Sequence, residues 1–442
     1  MSSFSNVTPR IIDPVFDRPN RAEFRLPAGN VYLSAMRLIN IGAVTATAAT
    51  NYNPVLGALC AIRSITLLDG AEQLDTLRLA PLINAMKNLN RRNDENLSMN
   101  RFLKRFGLGY VQSGQYSVTG AAIDKDDIQL RQQNPLPEGQ AVAATQGKSW
   151  ISLKDMLSFL GASLVVPTTV YKQLKLVIEY NDAAELKFLL SKTNAAAPVS
   201  IQDALLLVDE VQDGDMKDML MKNYKGVVYH PIETDTVRYA GTGPGAATPV
   251  GSQQPEVEQN FLMNGFNGKK LKRVMVYNQP TLASSFENAN ELVGYGPLAS
   301  VAGWKSNIQL RVNGSDILPG AGLGSSATGS CGNRRLAHAV DSWGEFNVYQ
   351  GQNFTALPNA DNFIGAGGAA GKQDASLREA LGQADLFGVR VDQHINELQL
   401  RYSRTGVFGN ATTTQPIDIA LIGQVEKAVS LSSDGSYVVA YV

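Results

Sequence analysis

The segment QLKLVIEYN at 173–181 constrains this chain more than any other. Leu174, Leu176, Ile178 and Tyr180 fall on one side of an extended backbone, and Lys175, Val177 and Glu179 fall on the other. A period of two fits a half-buried strand and does not fit a helix. The same alternation returns in INELQLRYSR at 395–404, where Leu398, Leu400 and Tyr402 are in phase. A chain of 442 residues exceeds one ordinary core, and two β domains of roughly 200 residues each account for it without help from disulfides or a metal.

Other strand signals fill in both halves. AEFRLPAGNVYLSAMRLINIG at 22–42 carries β-formers on either side of a Pro-Ala-Gly-Asn turn at 27–30, and AIRSITLLDG at 61–70 closes on Asp69-Gly70. Later strands are expected at ALLLVDEVQ (204–212), KGVVYHPIETDTVRY (225–239), LKRVMVYNQ (271–279), NIQLRVNGSDIL (307–318), EFNVYQ (345–350), QPIDIALIG and SYVVAYV. Helices are few. Leu79, Leu82, Ile83, Met86 and Leu89 have helical spacing, and 152–160 reads as a short helix with Ser152 as N-cap and Asp155 three residues on. The polar piece at 213–223 is a further candidate, and 182–198 reads as a helix and spacer.

These signals divide the chain into three parts. Residues 1–20, with Pro9, Pro14 and Pro19, are expected as an extended N-terminal arm. Residues 21–190 form the first β domain and 191–442 the second. The second carries glycine-rich loops at 240–254, 318–333 and 359–373. Many strands with long connections point to an all-β fold of sandwiches whose connections cross between sheets.

Composition narrows the function. Thirty-nine basic and forty acidic residues give a formal charge of −1, which lacks the electrostatic footprint of a dedicated nucleic-acid binder. Only 18% of residues are charged while 44% are hydrophobic, as expected where much of the polar surface is Asn, Gln, Ser, Thr and Gly, or where copies of the chain cover much of it. Cys60 and Cys331 offer no disulfide framework, and MSSFSNVTPR has no hydrophobic run behind it, so folding inside a cell is expected. No apolar run reaches the ~20 residues of a membrane span.

Each chemical motif has a plainer reading beside it. GAGGAAGKQ at 365–373 resembles a phosphate loop, but Ala366 replaces its first glycine and Gln373 its magnesium-holding hydroxyl. GAGLGSS at 320–326 departs from GxGxxG and reads as a surface loop. His230, His338 and His394 are far apart and have no metal-ligand spacing. Ser330, Cys331, His338 and Asp341 contain the ingredients of a nucleophile, base and orienter, but closeness along the chain does not assemble a site. Asp209-Glu210 and the pair Glu256 and Glu258 read as solvated charges. The basic and aromatic run at 90–107, with Arg91, Arg92, Arg101, Phe102, Lys104, Arg105 and Phe106, reads as a solvated face or subunit contact, as does GKKLKR at 268–273. Sequons at Asn6, Asn96, Asn313, Asn353 and Asn410 are at chance level for an Asn-rich chain. No catalytic, cofactor-binding or metal-binding residue is therefore assigned, and no cofactor is expected.

One order of segments resembles a family. SITLLDG, then LAPLINAMKNL, then ISLKDMLSFLG followed at once by LVVPTTVYKQLKLVIEYN, looks like the first half of the double jelly-roll major capsid proteins of polinton-like viruses and virophages. IQDALLLVDEVQ and INELQLRYSR resemble pieces of the second jelly roll. The resemblance implies two consecutive antiparallel jelly rolls and a non-enzymatic subunit that forms pseudo-hexagonal homotrimers. Such trimers tile the icosahedral shell of a DNA virus, in contact with neighbouring capsomers, penton and minor capsid proteins. Its place would be the virion, assembled inside the host cell, with no sequence-specific contact to nucleic acid. Two other readings stay open: a minor capsid or vertex protein with one jelly roll, and a carbohydrate-active β-sandwich enzyme or lectin.

Overall fold

The computed structural model describes residues 7–41, 43–45, 62–78, 149–181, 198–201, 204–239, 257–280, 305–318, 323–326, 342, 387–405, 417–432 and 435–442. The expected helix at 79–89, the spacer at 182–197, EFNVYQ and the glycine-rich stretches at 240–254 and 359–373 lie outside the described residues.

The first half runs β1 (Val7–Ile12), β2 (Phe16–Arg18), β3 (Arg21–Arg25), β4 (Val31–Leu33), β5 (Arg37–Ile41), β6 (Ala43–Thr45), β7 (Ile62–Asp69), β8 (Glu72–Arg78), β9 (Ser149–Ser152), β10 (Val165–Pro167), β11 (Leu174–Tyr180), β12 (Pro198–Ile201) and β13 (Leu205–Val211). One sheet has the order β2-β3-β11-β7-β8. The other has β10-β4-β13-β5-β9, with β1 laid on β13. The chain crosses between the sheets repeatedly, from β2 and β3 to β4 and β5, then to β7 and β8, to β9 and β10, to β11 and to β13. Phe24, Ile65, Leu67 and Leu176 of the first sheet meet Tyr32, Leu38 and Leu206 of the second in one buried core. Each such side chain taken out of water contributes about 1.5–3 kcal/mol.

The second half runs β14 (Gly226–Tyr229), β15 (Ile232–Tyr239), β16 (Val257–Leu262), β17 (Lys270–Pro280), β18 (Lys305–Val312), β19 (Ser315–Asp316), β20 (Leu323–Ser326), β21 (Phe387–His394), β22 (Leu398–Thr405), β23 (Ile417–Val425), β24 (Lys427–Leu431) and β25 (Tyr437–Tyr441). The order β15-β23-β17-β21 faces β16-β22-β18, and both β19 and β20 lie against β18. Counted along the chain with β19 and β20 as one position, this is 1-8-3-6 over 2-7-4-5, the jelly-roll order. Every pairing is antiparallel, and a second core gathers Val274, Val276, Leu310, Leu400, Tyr402 and Leu421. The all-β fold of two consecutive sandwiches expected above is thus present.

Several boundaries differ from those expected. ALLLVDEVQ does not open the second sandwich: β13 pairs with β4 and β5 and buries Leu206 and Val208 in the first core, so the first sheet extends past residue 190. Residues 7–12 and 16–18 are extended, as expected of an arm, but they are docked. β1 pairs with β13 over six residues and β2 pairs with β3. The segment at 225–239 is two strands in two sheets, because Pro231 lacks the amide that would continue one ladder. The counterpart of β11, which lies between β3 and β7, is β23 between β15 and β17, and not the similarly patterned β22.

The helix expected at 152–160 is broken into Leu153–Met156 and Ser158–Ala162 by extended Leu157, and Ser152 makes no side-chain cap. Helix Gly214–Asn223 forms where expected, and the Asp213 carboxylate caps it by accepting from Met216 N at 2.8 Å.

Candidate assembly seam

The strands β14, β24 and β25 form a small sheet of their own. It is a bent continuation of the second sandwich, since β14 leads into β15 and β24 follows β23 after the single residue Glu426. Cross-strand partners share a face, so the register puts Val227, Tyr229, Lys427, Val429, Tyr437, Val439 and Tyr441 on one side. That side meets the first sandwich.

The contact is aromatic and polar. Phe159 stands edge-on to Tyr171 and Tyr229, with ring centroids 5.7 and 5.4 Å apart, and Tyr171 meets Tyr437 at 5.0 Å. The hydroxyls of Tyr171 and Tyr224 bond at 2.7 Å, Tyr437 donates to Asp69 Oδ2 at 2.6 Å, and Tyr229 donates to the Leu74 carbonyl. Lys427 Nζ donates to the Gln73 carbonyl at 2.6 Å.

Beside it, buried Asp75 accepts from Phe159 N at 2.8 Å, Ser158 Oγ at 3.0 Å and Thr76 N at 2.8 Å. Burial pushes the Asp75 carboxyl up to about 6 against the pull of these donors and of the Lys427 charge, and burial likewise pushes the Lys427 ammonium down. Loss of water also raises the Tyr171 and Tyr229 hydroxyls, so both stay neutral.

The second sandwich adds its own outer face to this seam. Along β17 and β23, Val274, Val276 and Leu421 point into the second core, while Met275 and its cross-strand partner Ile422 join the first. A sheet buried on both faces needs continuous apolar runs, and VMV and IALI supply them. Two sandwiches joined this way form one body.

Among the residues weighed for chemistry, the described ones have ordinary structural roles. Glu210 is not a solvated charge: it is 3% exposed and lies 2.6 Å from Arg10 Nε of β1. Asp209 points to the opposite face of the strand. Glu258 is exposed, 3.3 Å from Arg401. The basic run 268–273 is neutralised locally, Lys269 by Glu233 at 2.5 Å and Lys272 by Glu426 at 2.8 Å. Lys272 and Lys270 hold Glu426 below the usual carboxylate range, and His230 lies 3.8 Å from it.

Asn313 occupies a left-handed turn (φ 51°) and spends its side chain on the loop after β21, donating to the His394 carbonyl and accepting from Asn396 N. Ser330, Cys331, His338, Asp341, Glu256, Cys60, the run 90–107, the loop 365–373 and the other four sequons lie outside the described residues. The seam residues Asp75, Lys427, Tyr171 and Tyr229 carried no sequence signal: Asp75, Lys427 and Tyr229 lie on β8, β24 and β14, and Tyr171 lies between β10 and β11.

No protein-family model matches this chain, and no curated protein matches its sequence. Solved structures do match in fold. The crystal structure of VP54 from PBCV-1, fitted into a reconstruction of the virophage Sputnik, is 10% identical and aligns over 99% of this chain and 97% of its own with a TM-score of 0.55. The mavirus major capsid protein is 12% identical over 99% of this chain and 90% of its own, with a TM-score of 0.51. For the Faustovirus major capsid protein the values are 8%, 96%, 90% and 0.53. The chain therefore has the fold of these viral capsid proteins along nearly its whole length.

Proposed function

We propose that this chain is a major capsid protein, a subunit that builds the icosahedral shell of a DNA virus and performs no catalysis. The observation that carries the reading is that the chain aligns in fold with capsid proteins over 96% or more of its length, so both sandwiches are covered. An enzyme of the carbohydrate-active kind needs an open acidic cleft, whereas Asp75 and Glu210 are buried and engaged.

Three copies, each with two fused sandwiches, would give a six-lobed tile. Its ring closes through a heterologous contact between the first sandwich of one copy and the second of the next. A formal charge of −1 makes tile assembly rest on shape and apolar contact more than on charge. Strands standing across the shell would leave loops at its two surfaces, where insertions cost least.

Native mass measurement of the purified chain tests this: a stable trimer is expected. A pentamer would instead indicate a vertex protein, and a monomer that binds or cleaves glycans would indicate the lectin or enzyme.

A further inference from the structure

The small sheet has a second face and a free edge. Opposite the seam, its register aligns Gly226, Ser430 and Val438 in one row and Val228, Ala428 and Ala440 in the next. No charged side chain stands in either row. Val228 and Val438 are each 58% exposed and Val442 is 44% exposed.

At the edge, β25 pairs with β24 on one side, and among the described residues no strand lies on the other. Val442 N donates inward to the Glu426 carbonyl, and Ser432 N to the Ser436 carbonyl. By the alternation of an antiparallel ladder, the amides and carbonyls of Tyr437, Val439 and Tyr441 point outward.

An unpaired edge invites another strand, and proteins usually guard such edges with charge or proline. The longer outer strands here follow that practice, while β9, β14 and β20 are uncharged but only four residues long. Among described outer strands of five or more residues, β1 carries Pro9 and Arg10, β8 carries Glu72 and Arg78, β15 carries Glu233, Asp235 and Arg238, β16 carries Glu258, and β21 carries Arg390 and Asp392. β25, YVVAY, carries neither.

We infer that the outer edge of β25 is an assembly contact, where the strand pairs antiparallel with β25 of a second copy across a two-fold axis. An edge can pair with its own copy only if no like charges are brought opposite each other, and this strand has none to bring. The two-fold contact is isologous and so differs from the ring contact of a trimer; it joins one tile to the next. A pair of five-residue strands is small against the roughly 800 Å² per partner of a standard interface, so it suits a contact made many times in a shell. The inference rests on the proposed capsid role.

The test compares the wild-type chain with Val438→Lys, Val438→Glu and an equal mixture of the two, by mass photometry under assembling conditions. Ala440→Lys serves as a second variant on the same face. Wild type is expected to associate beyond its basic oligomer, each charged variant to lose at least tenfold of that association, and the mixture to regain at least half. Charged variants that assemble like wild type overturn the contact, as does a mixture that recovers nothing. A wild-type trimer that never associates further overturns the contact and leaves the capsid reading standing, whereas a wild-type monomer overturns both.

Discussion

The ammonium of Lys427 lies 2.6 Å from the carbonyl of Gln73, tying β24 of the small sheet to β8 of the first sandwich. These residues are 354 positions apart, so the bond belongs to the joining of the two sandwiches and to neither core alone. Replacing Lys427 by Met keeps the unbranched stem, one atom shorter, and removes the donor. We expect a loss of about 1–3 kcal/mol in stability. Amide exchange should quicken in β24 and β25 and stay unchanged in β18 and β22, and uniform quickening would contradict a local seam.

Asp75 sets a pH dependence with a definite sign. Its folded value of about 6 lies above the ordinary 3.8, so folding favours the neutral carboxyl. That contribution is complete below about pH 3.8 and is lost as pH rises through about 6. Asp75→Asn is neutral throughout. Denaturation from about pH 4 to pH 7 should therefore show the Asn variant gaining on wild type by on the order of 2–3 kcal/mol. A difference that does not change with pH would contradict the burial of this group.

Gly423 of β23 lies directly under a ring. A Cβ there would stand 2.3 Å from Phe266 Cε1 and 2.8 Å from Leu271 Cδ1, inside van der Waals contact. Gly423→Ala should destabilise the second sandwich by about 1–3 kcal/mol. Adding Phe266→Leu should recover part of that loss in thermal melts. Simple additivity would contradict the steric cause.

Tyr171 and Tyr224 share one hydroxyl–hydroxyl bond in a buried place. Either Tyr→Phe change alone leaves a hydroxyl short of a partner and should cost about 1 kcal/mol, while the double change should cost less than the sum of the two. A double-mutant cycle reads the difference.

Much of this fold is legible in the sequence because strand alternation is local. Leu174, Leu176, Ile178 and Tyr180 are all buried, as their spacing predicts; on the other face of central β11 Val177 is buried as well, while Glu179 is exposed. Pairing partners are a different matter. Leu206 and Val208 alternate equally well in either sandwich, and only the long-range ladder of β13 with β5 assigns them to the first. The seam was hidden for the same reason: Asp75 and Lys427 look like solvated charges until the fold brings β8 and β24 together. The uncharged outer strand YVVAY was visible as a strand, but its meaning depends on knowing that the long outer strands of the sandwiches carry charge.

Negative-stain imaging of the purified chain tests the central claim most directly. A capsid tile of fused sandwiches should give particles with a three-fold axis and a six-lobed, pseudo-hexagonal outline. Particles of two lobes, or five-fold rings, would contradict it.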